Sequence, residues 1–200
     1  MACPPAVAGP GRPGQQACGA HTAPKVVGLL GYPATYSLSP AMHNAAFRAL
    51  GLEWVYTLFP VPPPLLAQAV AGLRALGLAG ANVTIPHKQA VLELVDELTD
   101  QARRCGAVNT LWVEDGRLVG DNTDVQGFVR AAQELGIPLA GAEVLVLGSG
   151  GAARAVAVAC VQHGAGRVWL AARRPAAALA VARELESWSV ATPVEAVGTG

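Results

Sequence analysis

From Lys25 onward, apolar runs alternate with stretches in which apolar residues recur every three or four positions, a pattern typical of α/β folds. Continuous apolar runs predict buried strands, and the stretches with helical period predict the helices between them. The predicted elements are strands at 25–31, 54–61 and 80–85, helices at 39–50, 63–76 and 86–98, a hairpin at 107–124, a helix at 124–135, and then strands at 143–147 and 167–174, each followed by a helix, with a last strand from 192.

Cap and turn residues sharpen several of these boundaries. Ser39 followed by Pro40 predicts an N-cap at Ser39. Pro86 in the same way predicts a helix start, which puts Lys88 in the first helical turn. The Asp-Gly pair at 115–116 lies between two apolar runs and predicts a hairpin turn. In the helix at 63–76, one apolar face is predicted from Leu66, Val70, Leu73 and Leu76.

Composition narrows the classes of function. A hydrophobic fraction of 52% with 14% charged residues describes a globular protein. The net charge of zero lacks the basic excess of duplex-binding domains, so no nucleic-acid partner is expected. No run approaches the roughly 18 apolar residues of a membrane helix, so no membrane partner is expected either. Residues 1–24 are rich in Pro, Gly and Ala, lack the pattern of a signal peptide, and are predicted to be a disordered tail.

The cysteine and histidine positions predict no metal site. The four cysteines are widely spaced and contain no Cys-x-x-Cys pair, so reduced thiols and a cytoplasmic location are expected. His87 has no second His or Cys nearby to complete a set of ligands. It is therefore assigned to packing or to the rim of a substrate site.

A glycine-rich turn after a predicted strand indicates a dinucleotide site. Such turns allow a tight bend and a close approach of the backbone to a pyrophosphate, and a small residue at the sixth position lets helix and strand pack closely. The helix that follows presents free N–H groups to phosphate. A purely structural turn is the alternative. The predicted cofactor-binding residues are Gly148, Ser149, Gly150, Gly151 and Ala152, with Ala153 as the small sixth residue.

The end of the next predicted strand favours NADP over NAD. NAD enzymes usually have an acidic residue there, whereas arginine accommodates a 2′-phosphate. This chain has Arg173 and Arg174, and a guanidinium binds phosphate bidentately. Two solvated surface arginines are the alternative interpretation.

Short polar clusters lie at the ends of strands or in the hairpin of the first half, where α/β folds carry their sites. Hydroxyl and amide side chains suit a ligand with several hydroxyl groups. Each cluster alone can be explained as a helix cap or a turn, but their joint occurrence favours a binding site. The clusters contribute Ser37, Ser39, Asn82, Thr84, Asn109 and Asp124.

Lys88 adds a group that can transfer a proton. At the start of a helix a positive charge opposes the helix dipole, so a structural role is a poor explanation for a lysine there. Near a carboxylate such as Asp124, it could protonate the oxygen of a carbonyl during its reduction. A surface lysine is the alternative.

With these motifs in order, the chain resembles shikimate dehydrogenase. The resemblance runs from about Lys25 to Arg174 and includes YSLSPAMHNAAF, NVTIPHK, AVNTL, GDNTD and GSGGAARA. It implies a substrate domain of α/β type followed by a partial Rossmann domain that binds NADP. It also implies the NADP-dependent, reversible reduction of 3-dehydroshikimate to shikimate on the way to chorismate and the aromatic amino acids.

The resemblance implies a role for each site residue. Ser37 and Ser39 would bind the substrate carboxylate, while Thr84, Asn109 and Asp124 would hold its hydroxyl groups with Lys88. Lys88 would be the general acid and base, with Asp124 orienting it. Asn82 would support the site, and Asp100 would contact the cofactor.

Two departures from the family pattern leave alternatives open. Ala172-Arg173-Arg174 stands where the family has Asn-Arg-Thr, so the asparagine contact is missing. Relatives continue beyond the position of Gly200, so a C-terminal truncation is expected from the resemblance. A non-catalytic remnant that binds shikimate-like ligands is one alternative. A quinate/shikimate dehydrogenase with broader substrate use is another, although the Ser37–Ser39 pair fits the narrower enzyme.

The expected organisation is a tail at 1–24, a substrate domain at 25–123 and a partial Rossmann domain at 124–200. The expected partners are the small-molecule substrate and NADP. The sequence leaves the oligomeric state open, with a homodimer as one option.

Overall fold

The computed structural model describes residues 23–187 and 191–198. The predicted tail lies outside these ranges except for Ala23 and Pro24. Nine strands are described: β1 (Lys25–Gly31), β2 (Trp54–Pro60), β3 (Gly80–Val83), β4 (Glu97–Leu98), β5 (Thr110–Glu114), β6 (Arg117–Asp121), β7 (Glu143–Leu147), β8 (Arg167–Ala171) and β9 (Val194–Val197). The described α-helices are α1 (Ser39–Ala49), α2 (Leu66–Ala75), α3 (Asp100–Cys105), α4 (Asp124–Glu134), α5 (Gly151–Gln162) and α6 (Pro175–Glu186), with 3₁₀ turns at Pro63–Leu65 and Ala90–Leu94.

The first six strands form one mixed sheet in the order β2-β1-β3-β5-β6-β4. β1 pairs in parallel with β2 and β3, whereas β5 pairs antiparallel with β3 and β6. The predicted hairpin between β5 and β6 is confirmed. Its turn residues Asp115 and Gly116 have φ angles of 49° and 78°, the left-handed pair that a tight hairpin turn requires.

The last three described strands form a parallel sheet in the order β7-β8-β9, with α5 and α6 as its crossover helices. This is the arrangement of one half of a doubly wound nucleotide-binding fold. Val125 and Val129 of α4 pack into the same buried cluster as Ala155 and Val158 of α5. The α/β class predicted from the sequence is therefore confirmed, and α4 connects the two sheets while packing on the second.

The predicted helix at 86–98 is wrong. After Thr84 the chain makes a turn in which the His87 N–H donates to the Thr84 carbonyl over 2.9 Å, and only Ala90–Leu94 is helical, as a 3₁₀ turn. The side chain of His87 is fully buried, with Nε2 2.7 Å from the Val61 carbonyl oxygen, so it serves packing as expected. Proline suits a turn as well as a helix start, and here the burial of His87 favours the turn. Lys88 therefore lies in no helix, and the helix-dipole argument for its role does not apply.

Two smaller expectations are also corrected. Ser39 is the first residue of α1 rather than its N-cap, and its backbone N–H donates to the Ser37 hydroxyl over 3.2 Å. Leu76 is 77% exposed, whereas Leu66, Val70 and Leu73 are buried as predicted. The helix ends at Ala75, so Leu76 is a capping residue that leaves the apolar face.

Candidate active site

Lys88 is fixed from both ends. Its backbone carbonyl accepts a hydrogen bond from the Val108 N–H over 2.7 Å, which ties the turn to the residues just before β5. Its Nζ donates to Oδ2 of Asp124 over 2.5 Å, and the Lys88 side chain is only 15% exposed. The amine is thus held by Asp124, while the Lys88 side chain still borders a cleft.

Asp124 begins α4 and is itself held in place. Its backbone N–H donates to Oδ1 of Asn122 over 3.1 Å, and the buried Asn122 donates in turn to the Ala107 carbonyl over 2.9 Å. The second carboxylate oxygen of Asp124 accepts from Nδ2 of Asn109 over 2.8 Å. One oxygen therefore faces the lysine and the other faces an amide, which fixes the orientation of the carboxylate.

Asn109 connects the hairpin to the start of α4. It is 8% exposed, and its Oδ1 accepts from the Thr123 N–H over 2.9 Å and from the Thr110 hydroxyl over 2.8 Å. Its Nδ2 also donates to the Thr123 hydroxyl over 3.0 Å. Because these bonds hold the amide at both ends, Asn109 is a rigid support for Asp124.

A cleft of about 590 Å³ lies beside Lys88, between the ends of β3 and β7. The wall from the first sheet includes Thr84, Lys88 and Gln89. The opposite wall is formed by the glycine turn between β7 and α5 and by the residues that follow β8, namely Gly148, Gly150, Gly151, Ala152, Ala153, Arg173 and Arg174. Thr84 follows the carboxyl end of β3, and the glycine turn and the arginine pair follow the carboxyl ends of β7 and β8, so the cleft lies between strand ends of two separate sheets.

The glycine turn has the geometry of a phosphate cradle. Gly148 has a φ of 123°, a conformation that side-chain-bearing residues rarely adopt. Nothing lies within 4 Å of the position of a Cβ atom at Gly150, so a ligand could approach its backbone directly. The turn leads into the N-terminus of α5, and Arg173 and Arg174 are both exposed at the cleft. These residues fit a dinucleotide with a phosphorylated ribose.

A second cavity of about 440 Å³ adjoins the cleft and contains Ser37, Ser39 and Thr84 in its wall. Thr84 and Ile85 line both cavities, so the two spaces meet at these residues. The Ser37 hydroxyl donates to the Ser39 hydroxyl over 3.0 Å. The predicted carboxylate-binding hydroxyls therefore lie on the far side of Thr84 from the lysine.

Five predicted residues do not line either cavity, and two of them are Asn109 and Asp124, which reach Lys88 through hydrogen bonds. Asp100 is exposed in the first turn of α3 and is not among the described residues that line the cleft. Ser149 is part of the glycine turn but does not line the cleft either. Asn82 lies in β3 and contacts Tyr56, Asn109 and Thr110 through hydrogen bonds rather than lining either cavity.

The sequence did not reveal that Gln89 lines the cleft or that Tyr56 is a hydrogen-bond partner of Asn82. Gln89 lines the cleft next to Lys88, and its position directly after the Pro-His-Lys segment could have suggested it. Tyr56 lies within the mostly apolar strand β2. It is 26 positions before Asn82, so no local sequence pattern connects the two residues.

Two absences hold for the described residues 23–187 and 191–198. They contain no group of three or more His, Cys, Asp or Glu side chains that could hold a metal ion. No helix in these ranges is long and apolar enough to cross a membrane.

Residues 29–111 match the family profile of the shikimate dehydrogenase substrate binding domain. The chain is 50% identical over 160 residues to the shikimate dehydrogenase (NADP(+)) of Methanothermobacter thermautotrophicus, covering 80% of this chain and 56% of that protein. It also superposes with a TM-score of 0.76 and 41% identity on the Thermus thermophilus shikimate 5-dehydrogenase in complex with NADP(H) and shikimate, over 86% of this chain and 62% of that one. The chain thus spans a little over half the length of the curated relative.

A structure of different specificity is similar to the same degree. The ligand-free 5-ketofructose reductase of a Gluconobacter strain superposes with a TM-score of 0.79 and 34% identity, over 88% of this chain and 63% of that one. Similarity of fold alone therefore does not distinguish a shikimate dehydrogenase from a 5-ketofructose reductase.

Proposed function

Since residues 29–111 match the profile of the shikimate dehydrogenase substrate binding domain, we propose that this chain binds shikimate or 3-dehydroshikimate together with NADP and takes part in the reversible interconversion of the two acids. The observation that carries the proposal is the ion pair between Lys88 and Asp124, with Nζ 2.5 Å from Oδ2, at the edge of a cleft whose other wall is a glycine turn. A proton donor and a dinucleotide cradle on opposite sides of one space are what a carbonyl reduction needs.

In the reducing direction, Lys88 donates a proton from Nζ to the carbonyl oxygen as that oxygen becomes a hydroxyl group. In the reverse direction, the amine accepts the hydroxyl proton. Asp124 holds the amine in place, and Asn109 holds Asp124 through its 2.8 Å hydrogen bond. A cofactor held by the glycine turn would supply the hydride to the carbonyl carbon as NADPH, and in the reverse direction it would accept that hydride as NADP. The chain's own contribution is thus the position of one proton and the orientation of the substrate.

The polar side chains around the second cavity support shikimate as the substrate. In the proposal, Ser37 and Ser39 bind the carboxylate, and Thr84 and Asn109 bind ring hydroxyl groups. Asn82 supports them from within the sheet. Thr84 borders both cavities, which agrees with a substrate that extends from the serine pair to Lys88.

The cofactor part of the proposal rests on the glycine turn and the arginine pair. Gly148, Ser149, Gly150, Gly151 and Ala152 would hold the pyrophosphate, and Arg173 and Arg174 the 2′-phosphate. Asp100 stays a predicted cofactor contact.

The proposal takes residues 25–123 as the substrate domain and 124–200 as a partial cofactor domain. A cytoplasmic location and a homodimer stay predictions, which cell fractionation and light scattering of the purified chain would test.

The test is NADPH formation from shikimate and NADP, followed by absorbance in the wild type and in Lys88→Met. Lys25 is the other lysine of the sequence. It is the first residue of β1, and its Nζ lies over the ring of Trp54 in β2, so Lys25→Met is the matched control. We expect turnover in the wild type and in the control, and a loss on the order of 100-fold or more in Lys88→Met. Two further substrates test the substrate class: quinate with NADP, followed by NADPH formation, and 5-ketofructose with NADPH, followed by NADPH consumption.

Three results would contradict parts of the proposal. Equal turnover in Lys88→Met would remove the proposed role of the amine. Preference for quinate or 5-ketofructose would replace shikimate as the substrate. Absence of turnover, with shikimate still raising the melting temperature, would favour a binding protein without catalysis. Absence of both turnover and binding would refute the function as a whole.

A further inference from the structure

Arg154 of α5 is an arginine that the proposed reaction does not use. It lies in the first turn after the glycine turn, and its side chain is only 11% exposed. Nη1 donates to Oε2 of Glu184 in α6 over 2.5 Å, and Nη2 donates to Oε1 of the same carboxylate over 3.3 Å. This two-point pairing fixes the direction in which the planar guanidinium lies.

The same guanidinium reaches the end of α3, a helix that flanks the first sheet. Nη1 also donates to the Cys105 carbonyl over 3.4 Å, and arginine is a suitable partner for the last carbonyl groups of a helix. Gly106 ends α3 with a φ of 56°. A Cβ atom at Gly106 would lie 2.6 Å from Nη1 of Arg154, so the glycine leaves the room that this contact needs.

The segment that follows α3 supports the ion pair of the site. The Val108 N–H donates to the Lys88 carbonyl over 2.7 Å, and Nδ2 of Asn109 donates to Asp124 over 2.8 Å. The arginine contact lies only three residues before Val108 along the chain. A movement of the chain at the end of α3 would therefore shift both partners of the ion pair.

α5 thus contacts the first part of the chain at two successive points. The position of a Cβ atom at Gly151 is within 3.4 Å of side-chain atoms of both Lys88 and Ala107. Arg154 is three residues further along, on the same side of the helix. Because two points fix the axis of a helix better than one, these contacts set both the distance and the direction of α5 and of the glycine turn that precedes it.

The surroundings of Arg154 suit a role in geometry better than one in stability. Nε is buried and has no hydrogen-bond partner among the described residues, and an unpaired buried N–H lowers the free energy of unfolding. The ion pair offsets little of this, because the Glu184 side chain is 53% exposed to water. The main effect of the guanidinium is therefore the arrangement of the elements that it joins.

We propose that Arg154 is a positioning residue of the reaction, which holds the end of α3 and so sets the distance between the glycine turn and the Lys88–Asp124 pair. This inference rests on the proposed function, because the distance matters only if a cofactor on one side passes a hydride to a substrate on the other. Arg154 is not among the described residues that line either cavity, so each ligand binds without touching it.

The test is Arg154→Met, which keeps the length of the side chain and removes the hydrogen-bond donors. We expect kcat to fall about tenfold or more, because a shift of the order of 1 Å between reacting groups is costly. The dissociation constants of shikimate alone and of NADP alone, measured by calorimetry, should stay within about twofold, and so should both KM values. A merely structural arginine would lower the melting temperature and leave kcat of the folded chain unchanged, and that result would overturn the inference.

Gln162→Ala is the matched control, because it breaks a different contact between the same two helices. Gln162 lies eight residues further along α5, and its amide exchanges hydrogen bonds of 3.4 and 3.3 Å with the amide of Gln101 in α3. It should leave kcat within about twofold of the wild type. Equal losses of kcat in Gln162→Ala and Arg154→Met would show that Arg154 has no particular role.

Glu184 acts through Arg154 in this account, which a double variant tests. Glu184→Gln should lower kcat by less than Arg154→Met, and the two changes together should lower it no further than Arg154→Met alone. Additive losses would contradict the proposed link. If Arg154→Met does not fold, Arg154→Lys takes its place, because it keeps the charge but loses the planar fork that contacts two partners.

Hydrogen exchange separates this inference from the proposed function. The Val108 N–H should exchange faster in Arg154→Met than in the wild type and at an unchanged rate in Gln162→Ala. A wild type without turnover would refute the proposed function, and equal exchange at Val108 in wild type and Arg154→Met would then refute the inference as well. A wild type that turns over beside an equally active Arg154→Met refutes the inference alone.

Discussion

Gly151, the first residue of α5, packs against the aliphatic part of Lys88. A Cβ atom at Gly151 would lie 2.9 Å from Cδ and 3.1 Å from Cβ of Lys88, and 3.4 Å from Cβ of Ala107. The glycine turn thus has a second role besides leaving room for a phosphate. It lets the second sheet approach the lysine that the first sheet provides.

This contact predicts that Gly151→Ala displaces Lys88 and separates Nζ from Asp124. We expect turnover to fall about tenfold or more, because a shift of the order of 1 Å at a reacting group is costly. The melting temperature should change little, since alanine is a good helix residue. The measurement is kcat together with a thermal melt.

Gly72→Ala is the control for this substitution. Gly72 lies in α2, outside the lining of the cleft, with nothing within 4 Å of a Cβ atom. It should keep full turnover. Equal losses in both variants, or unchanged turnover in Gly151→Ala, would show that the contact does not position Lys88.

The arginine pair after β8 predicts the choice of cofactor. Replacing both Arg173 and Arg174 with alanine should weaken NADP binding about ten- to a hundredfold, because charge-assisted hydrogen bonds to the 2′-phosphate are lost. Affinity for NAD should stay within about twofold. Binding of both nucleotides is measured by calorimetry, with Arg183→Ala in α6 as the control. A parallel loss for NADP and NAD would contradict recognition of the 2′-phosphate.

Asp96 predicts a change of stability with pH. Its Oδ2 accepts from the Leu118 N–H over 2.6 Å and lies 2.8 Å from a guanidinium nitrogen of Arg74. The hydrogen bond from the Leu118 N–H is the largest cause that lowers the pKa of Asp96 below its ordinary value. The hydrogen bond from Arg74 lowers this pKa further. A carboxyl group with a lowered pKa stabilises the fold above its unfolded pKa, near 4, and loses this effect as the pH falls through the folded value.

Asp96→Asn should therefore melt at a lower temperature than the wild type at neutral pH, and the difference should shrink below about pH 4. The measurement is a series of thermal melts from neutral to acidic pH. Arg74→Met should keep most of this pH dependence, because it leaves the larger contribution from the Leu118 N–H in place. A difference between Asp96→Asn and the wild type that stays constant with pH would contradict this account.

Cys105 and Cys160 should resist alkylation in the folded chain. Both are fully buried, and burial raises the pKa of Cys105 to about 12 and that of Cys160 to about 11. The negative charge of Asp124 raises the pKa of Cys105 further. Because the thiolate is the reactive form, iodoacetamide should label these two positions only after denaturation. Peptide mapping by mass spectrometry checks this, and rapid labelling of Cys105 or Cys160 in the native chain would show that the buried cluster around α5, which contains both thiols, opens readily.

Elements whose signals are local were predicted well. The strand at Lys25–Gly31, the hairpin turn at 115–116 and the helix that follows the glycine turn all agree with the structure, because periodicity and glycine act within a few residues. The helix predicted after Pro86 failed for a reason outside that window. The burial of His87 against Val61, 26 residues away, decided the conformation of this segment.

The same division applies to the site. Its residue types could be read from the sequence, because hydroxyl, amide and amine groups after strands are the groups that such folds collect at one edge. The sequence alone determined the α/β class, the glycine turn and the candidate residues, since these depend on local pattern and on chemistry. Only the tertiary structure decided which of them meet. Lys88 pairs with Asp124 across 36 residues, Tyr56 reaches Asn82 over an intervening strand, and Gly151 makes room for Lys88. Such contacts follow from strand order, register and packing, and these arise from long-range pairings that no local stretch of sequence specifies.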